Sequence, residues 1–376
     1  MVEGTLQELL TREQNPLELL LKKSSIILKD KDKKIVLFGA GNVGKFYLQW
    51  FRKYGLDDRL YFCDNNPQKW GEIYNNIPII SPNELKEGIS ESYIIITSLD
   101  YGDDIFLQLT NNGLGGNLVD SLAHKLIKDL FSFSNYEDYY NVIKDNLSGF
   151  EEVFRSLSDS LSKEVFMERL NYCITMDPKY LIHLKSDSPQ YFESGIISLS
   201  KNEVFIDGGA FIGDTAEEFI KQTKGEFIKI YSFEPEETKH KEFLTRTSNS
   251  SNVELVPYGL WSCKDELQFE AKDSTDSGLS EFGNVKVPVI SIDEFLDGKP
   301  TTFIKMDIEG SEYEALLGAE MTIKKFKPKL AICVYHNLLD VIEIPKYLKK
   351  IVPEYKLYFR HYGNDGTETI CYAVVD

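Results

Sequence analysis

The chain has 376 residues, of which 42% are hydrophobic and 27% are charged, a composition typical of globular proteins. Its 60 acidic and 42 basic residues leave a formal net charge of −18. This surplus of negative charge repels phosphate groups, and it therefore argues against nucleic acid or an anionic membrane surface as the main partner. The length predicts two or three domains, each with a sizeable core.

Targeting and redox features are weak in this sequence. No apolar run approaches the roughly 20 residues that a membrane span needs, and residues 1–8 lack the basic and apolar regions of a signal peptide. The five cysteines have no CxxC spacing and are interpreted as reduced core residues, not as disulfides or zinc ligands: Cys63, Cys173, Cys263, Cys333 and Cys371. We expect a soluble, cytoplasmic protein, and a homo-oligomer is compatible with the sequence.

The first third of the chain alternates strand-like and helix-like segments. Residues 1–33 predict a helical lead-in, and residues 34–125 predict a compact α/β unit. Its strands are expected at 35–38, 60–63, 78–80, 93–97 and near 118–119, and its helices at 45–54 and 103–112. Strands that alternate with helices indicate a parallel sheet, as in a Rossmann-like domain.

A glycine-rich turn follows the first predicted strand. Gly39, Gly41 and Gly44 form a GxGxxG pattern before a helix, and Asp64 ends the next strand. Such a turn brings backbone close to a phosphate at a helix N-terminus, and an acid about 20 residues later binds ribose hydroxyls. The pattern predicts a nucleotide site, although glycines in a strand-to-helix turn also serve packing alone.

The remainder of the chain divides into a helical connector, residues 126–200, and a second alternating series, residues 201–376. Aromatic residues and leucines recur at helical spacing through 136–145 and 150–173. The strands of the second series are expected at 203–207, 228–233, 253–256, 302–307, 329–335, 355–361 and 368–375. Two Rossmann-like domains joined by a helical connector are therefore the predicted α/β architecture.

The second glycine-rich turn differs from the first. Asp207 stands at the tip of a strand before Gly208, Gly209 and Gly213, and Glu234 ends the next strand. This GGxxxG spacing suits a cofactor without phosphates, such as S-adenosylmethionine (SAM). Asp207 is placed to hold the amino group of the methionine moiety, directly or through water, and Glu234 to bind both ribose hydroxyls. The alternative is an ordinary α/β turn without a ligand.

These residues resemble a known family. From about residue 150 to the end, the chain is similar to the FkbM family of SAM-dependent methyltransferases, in segments 205–210, 233–235, 302–312, 328–336 and 355–374. The resemblance implies a class I methyltransferase fold, SAM as methyl donor, and O-methylation of sugar, glycan or natural-product hydroxyls. Residues 34–125 are similar to Rossmann modules of bacterial sugar and surface-polysaccharide enzymes, which implies polysaccharide biosynthesis.

Methyl transfer needs an aligned acceptor and a group that takes its proton. Asp307 and Glu309 follow a predicted strand and are expected to position a hydroxyl, act as base or hold a divalent cation, unless they only cap a helix. His336 ends the next strand and is a candidate base, since its ordinary pKa lies near neutrality; a surface-loop histidine is the alternative. Lys305 is either a substrate-orienting or an ion-paired lysine, and Glu312 is expected to be the first-turn acid of a helix.

A further group follows the third strand of the second series. In a SAM-binding fold, Tyr258, Gly259 and Leu260 are expected to border the adenine, whereas Trp261 serves either the base or the core. The stretch 272–284, rich in Ser, Asp and Gly, is either a loop over the acceptor site or a solvated linker.

The leading hypothesis is a SAM-dependent O-methyltransferase that acts on a sugar or glycan hydroxyl. One alternative is an NAD-dependent sugar-nucleotide oxidoreductase or epimerase centred on residues 34–125; Tyr140 and Lys144 have the spacing of a dehydrogenase pair, but they lie in the helical connector and we give them no role. Another alternative is a non-catalytic protein that binds nucleotide-sugars.

Overall fold

The computed structural model describes residues 6, 32–53, 55–88, 91–98, 101–118, 139–175, 179–270, 278–279, 285–363 and 366–375. The described residues form two compact units. The first includes residues 32–140 and 173–175, and the second includes residues 141–172 and 179–375, within those described ranges. Most of the predicted lead-in lies outside the described residues. None of the helices that the structure describes has the length and apolar character needed to cross a membrane.

The N-terminal unit contains a five-stranded sheet. Its strands are β1 Lys34–Phe38, β2 Leu60–Cys63, β3 Ile73–Tyr74, β4 Ile77–Ile80 and β5 Ser92–Ile96. They lie in the order β3-β4-β2-β1-β5, and every neighbouring pair is parallel except β3 with β4. The helices of this unit are Asn42–Lys53, Pro82–Gly88 and Gly102–Asn111. The predicted parallel sheet is thus present, and of the strand expected at 118–119 the described Leu118 forms a single bridge with Ile94.

Both faces of this sheet are covered, which explains the continuous apolar runs. Along β1, Ile35 and Leu37 belong to one buried cluster, whereas Val36 and Phe38 belong to another. Successive side chains of a strand point to opposite faces, so a strand buried on both sides has no polar alternation.

Among the described residues of the predicted connector, 139–175 and 179–200, four segments are helical: Tyr139–Asp145, Leu147–Ser156, Ser160–Thr175 and Lys179–Ile182. The stretch 150–173 was expected to be helical throughout, but the structure breaks it before Ser160. Asp159 causes the break locally, because its carboxylate accepts the backbone N–H of Ser162 at 2.7 Å and so begins a new helix. The same carboxylate binds the Arg360 guanidinium at 2.7 Å and ties this helix to a strand 201 residues away.

The C-terminal unit is built on a seven-stranded sheet. Its strands are β6 Val204–Gly208, β7 Lys229–Phe233, β8 Val253–Val256, β13 Phe303–Met306, β14 Lys329–Cys333, β15 Lys356–His361 and β16 Thr369–Val374. Their order is β15-β16-β14-β13-β6-β7-β8, and only β16 runs antiparallel to its neighbours. Renumbered one to seven along the chain, the order reads 3-2-1-4-5-7-6 with strand seven reversed. This is the arrangement of class I methyltransferases, and it confirms the expected fold class.

The helices between and after these strands are Asp214–Gln222, Glu237–Arg246, Ile292–Leu296, Glu312–Leu317, Glu320–Phe326 and Asp340–Ile351. A second, smaller sheet was not predicted. It contains β9 Gly259–Leu260, β10 Asp265–Glu270, β11 Gly278–Leu279 and β12 Val285–Ile290, in the order β11-β10-β12-β9. Of the loop expected at 272–284, only residues 278–279 are described, and they form β11.

Candidate functional site

The carboxyl ends of β6, β7, β13 and β14 lie along one edge of the seven-stranded sheet, because these strands are parallel. In open α/β sheets this edge is where ligands bind. Most of the predicted cofactor and catalytic residues of the C-terminal unit lie at the ends of these four strands or in the turns after them, whereas Tyr258, Gly259 and Leu260 follow β8.

Asp207 and Lys305 form a buried ion pair at the centre of the sheet. They lie opposite each other in the register of β6 and β13, and Lys305 Nζ is 3.2 Å from Asp207 Oδ1. The same ammonium group donates to the carbonyl oxygens of Gly208 at 3.0 Å and Gly209 at 2.8 Å. Burial by itself would lower the pKa of Lys305, but the negative charges of Asp207 and Asp307 outweigh it and raise that pKa. These contacts hold the glycine-rich turn in place.

Neighbouring segments of the chain leave no room for a side chain at the glycines of this turn. A Cβ atom at Gly208 would lie 2.7 Å from Leu260 Cδ1, and one at Gly209 would lie 1.8 Å from the carbonyl oxygen of Asp307. Gly213 has a φ of 90° and would bring a Cβ to 2.9 Å from Phe243. Packing of neighbouring segments therefore explains the GGxxxG spacing without a ligand.

Glu234 is the buried carboxylate beside this turn, with 7% of its surface exposed. Its Oε2 accepts the backbone N–H of Phe211 at 2.9 Å, and its Oε1 accepts that of Glu236 at 2.8 Å. Burial raises the pKa of Glu234 to about 7, although both N–H groups favour the charged form. Each oxygen accepts one hydrogen bond from the described residues and so retains capacity for a hydroxyl donor.

The residues expected near the adenine lie in β9 of the smaller sheet and just before it, shortly after β8 of the seven-stranded sheet. Leu260 is buried in β9 against Gly208, Gly259 pairs with Val289, and Tyr258 lies just before β9, half-buried. Trp261 packs with the small apolar cluster of the second sheet. The structure thus brings Leu260 next to the glycine-rich turn and gives Trp261 a core role.

Asp307 follows β13 and is held by two phenols. Tyr191 donates its hydroxyl to Asp307 Oδ2 at 2.6 Å, and Tyr335 donates to Oδ1 at 3.0 Å. Burial by itself would raise the pKa of Asp307, but the positive charges of His336 and Lys305 and the hydrogen bonds lower it. Neither tyrosine was predicted as a site residue. Tyr191 lies in the connector, away from the strand ends on which the site prediction was based. Its φ of 70° is unusual for a non-glycine residue, but this feature is visible only in the structure.

His336 follows β14 and is surrounded by carboxylates. Its Nε2 lies 3.5 Å from Asp307 Oδ1 and 3.4 Å from Glu309 Oε2, and its Nδ1 lies 3.0 Å from Glu312 Oε1. Burial disfavours the charged imidazole, but Glu312, Glu309 and Asp307 outweigh it and raise the pKa of His336 well above 6.5. These carboxylates therefore favour the protonated imidazole, whereas the base suggested by its ordinary pKa would be neutral.

Glu312 and Glu309 complete this group, which we name the carboxylate–histidine cluster: Asp307, Glu309, Glu312 and His336. Glu312 begins the helix Glu312–Leu317 as expected, but its side chain is fully buried and accepts the backbone N–H of Ile308 at 2.8 Å. Glu309 has a φ of 56° and 31% side-chain exposure, the largest of the cluster. The cluster offers acidic oxygens and an imidazole beside the predicted cofactor turn.

The three glycines of the turn in the N-terminal unit differ in how much space surrounds them. A Cβ atom at Gly39 would lie 2.7 Å from the Thr97 carbonyl oxygen, and one at Gly44 would lie 2.3 Å from the Gly39 carbonyl oxygen. A Cβ atom at Gly41 would meet no atom within 4 Å, and Gly41 has no positive φ. Packing therefore explains Gly39 and Gly44 and does not explain Gly41.

Asp64 stands at the end of β2, as predicted, and already holds local partners. Its Oδ2 accepts the Ala40 N–H at 2.9 Å and the Lys69 ammonium at 2.8 Å, and its Oδ1 accepts the Asn66 N–H at 2.9 Å. Burial by itself would raise the pKa of Asp64, but these hydrogen bonds lower it. Lys69 places a half-exposed cation next to the glycine-rich turn.

Two separate parts of the chain match known protein families. Residues 207–363 match the family described as Methyltransferase FkbM domain, and residues 31–118 match the family described as C2185-like, N-terminal. No curated protein matches the chain.

Among solved structures, Methyltransferase FkbM from Methylobacillus flagellatus KT is similar over 98% of this chain and 97% of its own, with 23% identity and a TM-score of 0.69. An rRNA methylase from Streptococcus thermophilus covers 47% of this chain and 90% of its own, with 14% identity and a TM-score of 0.32. Aeropyrum pernix fibrillarin, solved with bound S-adenosyl-L-methionine, covers 48% and 70% with 14% identity and a TM-score of 0.31. The last two likenesses are too distant to support an argument. The chain shares the fold of the Methylobacillus protein over nearly its whole length, and its C-terminal part matches an FkbM methyltransferase domain.

Proposed function

We propose that the C-terminal unit binds SAM at the carboxyl ends of β6 and β7 and transfers its methyl group to a hydroxyl of a sugar or glycan precursor. The observation that supports this most is Glu234, a buried carboxylate with free acceptor capacity beside a glycine-rich turn. The strand order of the sheet and the match of residues 207–363 support the same function.

In this proposal Glu234 accepts both ribose hydroxyls of the cofactor. Gly208, Gly209 and Gly213 shape the turn that follows the cofactor backbone, while Tyr258, Gly259 and Leu260 flank the adenine. Asp207 is fully buried and already paired with Lys305. We therefore assign this ion pair the role of holding the turn, which positions the methionine moiety without direct contact.

The acceptor hydroxyl is proposed to lie at the carboxylate–histidine cluster. β13 is the neighbour of β6, so Asp307 and Glu309 follow the strand next to the cofactor turn. Transfer forms a bond between the acceptor oxygen and the methyl carbon and breaks the sulfonium bond, while the hydroxyl proton leaves. Glu309 is the most exposed carboxylate of the cluster and is the proposed proton acceptor.

A methyl-transfer assay tests this proposal. The protein is incubated with SAM and a panel of nucleotide-sugars, and products are examined by mass spectrometry for the added methyl group. Glu309→Gln is expected to lower kcat by about 10²–10⁴-fold, the usual contribution of a general base. The matched control is Glu226→Gln, which changes an exposed glutamate of the same unit. A wild-type rate in Glu309→Gln would contradict the assigned base, and methylation of no hydroxyl acceptor would contradict the reaction.

For the N-terminal unit we propose a nucleotide site at Gly39, Gly41, Gly44 and Asp64. Gly41 supports it, because open space faces the glycine that packing does not require. In a dinucleotide-binding turn the second glycine lets the backbone approach a pyrophosphate. Lys69 adds a cation at this turn, and it also occupies the carboxylate that would otherwise take ribose hydroxyls.

A further inference from the structure

We propose that Asp307, Glu312 and His336 bind a divalent first-row transition metal ion, with Glu309 beside them. One ligand atom from each of the first three residues lies within 4.8 Å of the others. Asp307 and His336 follow neighbouring strands, β13 and β14, and Glu312 begins the helix after β13. Backbone elements thus place three ligand-bearing side chains around one point.

Several buried polar atoms of this group have no hydrogen-bond partner among the described residues. Glu312 is fully buried, and its Oε2 has no hydrogen-bond partner among the described residues. Both ring nitrogens of His336 are shielded from solvent and close to carboxylates, yet neither makes a hydrogen bond of good geometry with a described residue. Buried polar atoms are normally paired, so these atoms favour the binding of a ligand at this point.

The charge balance also favours a cation. Asp307, Glu309 and Glu312 bring three negative charges to the cluster, and His336 brings at most one positive charge. The nearby ammonium of Lys305 is already engaged by Asp207 and two backbone carbonyls. Uncompensated carboxylates are costly in a buried environment, and a divalent ion would offset two of these charges.

The ligand types indicate the class of metal. Two carboxylates with one imidazole suit Mn²⁺, Fe²⁺, Co²⁺ or Zn²⁺, whereas Mg²⁺ and Ca²⁺ prefer oxygen ligands alone. If Nδ1 of His336 binds the ion beside Glu312, the other ring nitrogen, Nε2, keeps a carboxylate neighbour outside the three proposed ligands, because Glu309 Oε2 lies 3.4 Å from it. Such outer carboxylates orient metal-binding histidines.

This site stands on the ligand geometry and does not depend on SAM binding. Under the function proposed above, an ion here would bind the acceptor oxygen and make its proton easier to remove.

Metal titration tests the inference. Full-length protein is freed of metal with EDTA and titrated with Mn²⁺ in a calorimeter, and bound Mn²⁺ is examined by pulsed EPR. We expect one Mn²⁺ per chain and a coupling to an imidazole nitrogen. His336→Gln should weaken binding by at least about 100-fold, since even outer-shell changes cost about 10–100-fold. His183→Gln, at an exposed histidine of the same unit, should bind as wild type.

Two results would overturn the inference: no stoichiometric Mn²⁺ in wild type, or undiminished binding in His336→Gln. If that variant does not fold, as judged by circular dichroism, the EPR spectrum of wild type labelled with ¹⁵N-histidine decides. Titration of the metal-free protein with S-adenosylhomocysteine (SAH) reports separately on the cofactor site, so loss of one proposal is distinguished from loss of the other.

Discussion

Binding of SAH should depend on the protonation of Glu234. This carboxylate is proposed to accept the two ribose hydroxyls, and burial raises its pKa to about 7. A hydroxyl donates more strongly to a carboxylate than to a neutral carboxyl group. The ligand therefore favours the ionised form, and its affinity should rise as the pH increases through 7.

The size of the effect follows from the ionised fraction. With a pKa of about 7, roughly nine-tenths of Glu234 is ionised at pH 8 and roughly one-tenth at pH 6. The dissociation constant should therefore rise about tenfold from pH 8 to pH 6, which corresponds to about 1.4 kcal/mol. Over the same range, binding at low pH should release up to about one proton.

Calorimetry measures both quantities. SAH is titrated at several pH values in buffers of different ionisation enthalpy, which gives the affinity and the number of protons released. Glu234→Gln should bind about 10–100-fold more weakly at pH 8, because each of its two hydroxyl contacts changes from a hydrogen bond to a charged group, worth about 1.5–3 kcal/mol, to a neutral one worth about 0.5–1.5 kcal/mol. Its affinity should not change with pH. Glu226→Gln is the control. The same pH slope in Glu234→Gln as in wild type would mean that another group, and not Glu234, controls SAH binding.

The raised pKa of Glu234 should also make the stability of the folded chain depend on pH. Its pKa is about 7 in the folded chain against an ordinary value of 4.5, so its stabilising contribution is complete below pH 4.5 and is lost as the pH rises through 7. The difference corresponds to about 3 kcal/mol in the free energy of unfolding. In urea titrations Glu234→Gln should show a flatter pH dependence than wild type, and an identical dependence would contradict the assigned pKa.

Three further substitutions test the packing, ion-pair and nucleotide-binding roles described above. Gly209 and Gly225 both have positive φ, at 74° and 77°, but of these two only Gly209 would bring a Cβ onto a backbone carbonyl oxygen, at 1.8 Å. In urea denaturation, Gly225→Ala should lower the free energy of unfolding by about 1–2 kcal/mol and Gly209→Ala by more than about 4 kcal/mol. Equal losses in the two variants would contradict the packing role of Gly209. Lys305→Met should cost about 3–5 kcal/mol because it leaves Asp207 buried without its partner; the added change Asp207→Asn should restore part of that stability, and a further loss would argue against the ion pair. Gly41→Val should leave the unfolding midpoint unchanged and abolish titration signals for NAD or UDP, and retained binding would contradict a nucleotide site at this turn.

The sequence predicted most strands of the five-stranded and seven-stranded sheets well because they are buried on both faces. Apolar runs such as 35–38 and 204–206 are unmistakable because no polar residue interrupts them. The small second sheet was missed, since β10 reads Asp-Glu-Leu-Gln-Phe-Glu and its two apolar residues give a weak signal. Strands of this composition are stabilised by their partners more than by their own residues.

The site was predicted in part, for reasons of distance along the chain. Asp307 and His336 were found because each follows a strand, but the phenol of Tyr191 reaches Asp307 from 116 residues away. Likewise, the pairing of Lys305 with Asp207 depends on the register of β13 against β6. Contacts of this kind arise from tertiary packing, which local residue patterns do not encode.

A crystal structure of the chain with SAH would test the central proposal most directly. We expect both ribose hydroxyls to lie within hydrogen-bond distance of the Glu234 carboxylate, with the adenine beside Leu260 and the sulfur facing the carboxylate–histidine cluster. SAH bound away from the carboxyl ends of β6 and β7, or with its ribose out of reach of Glu234, would contradict it.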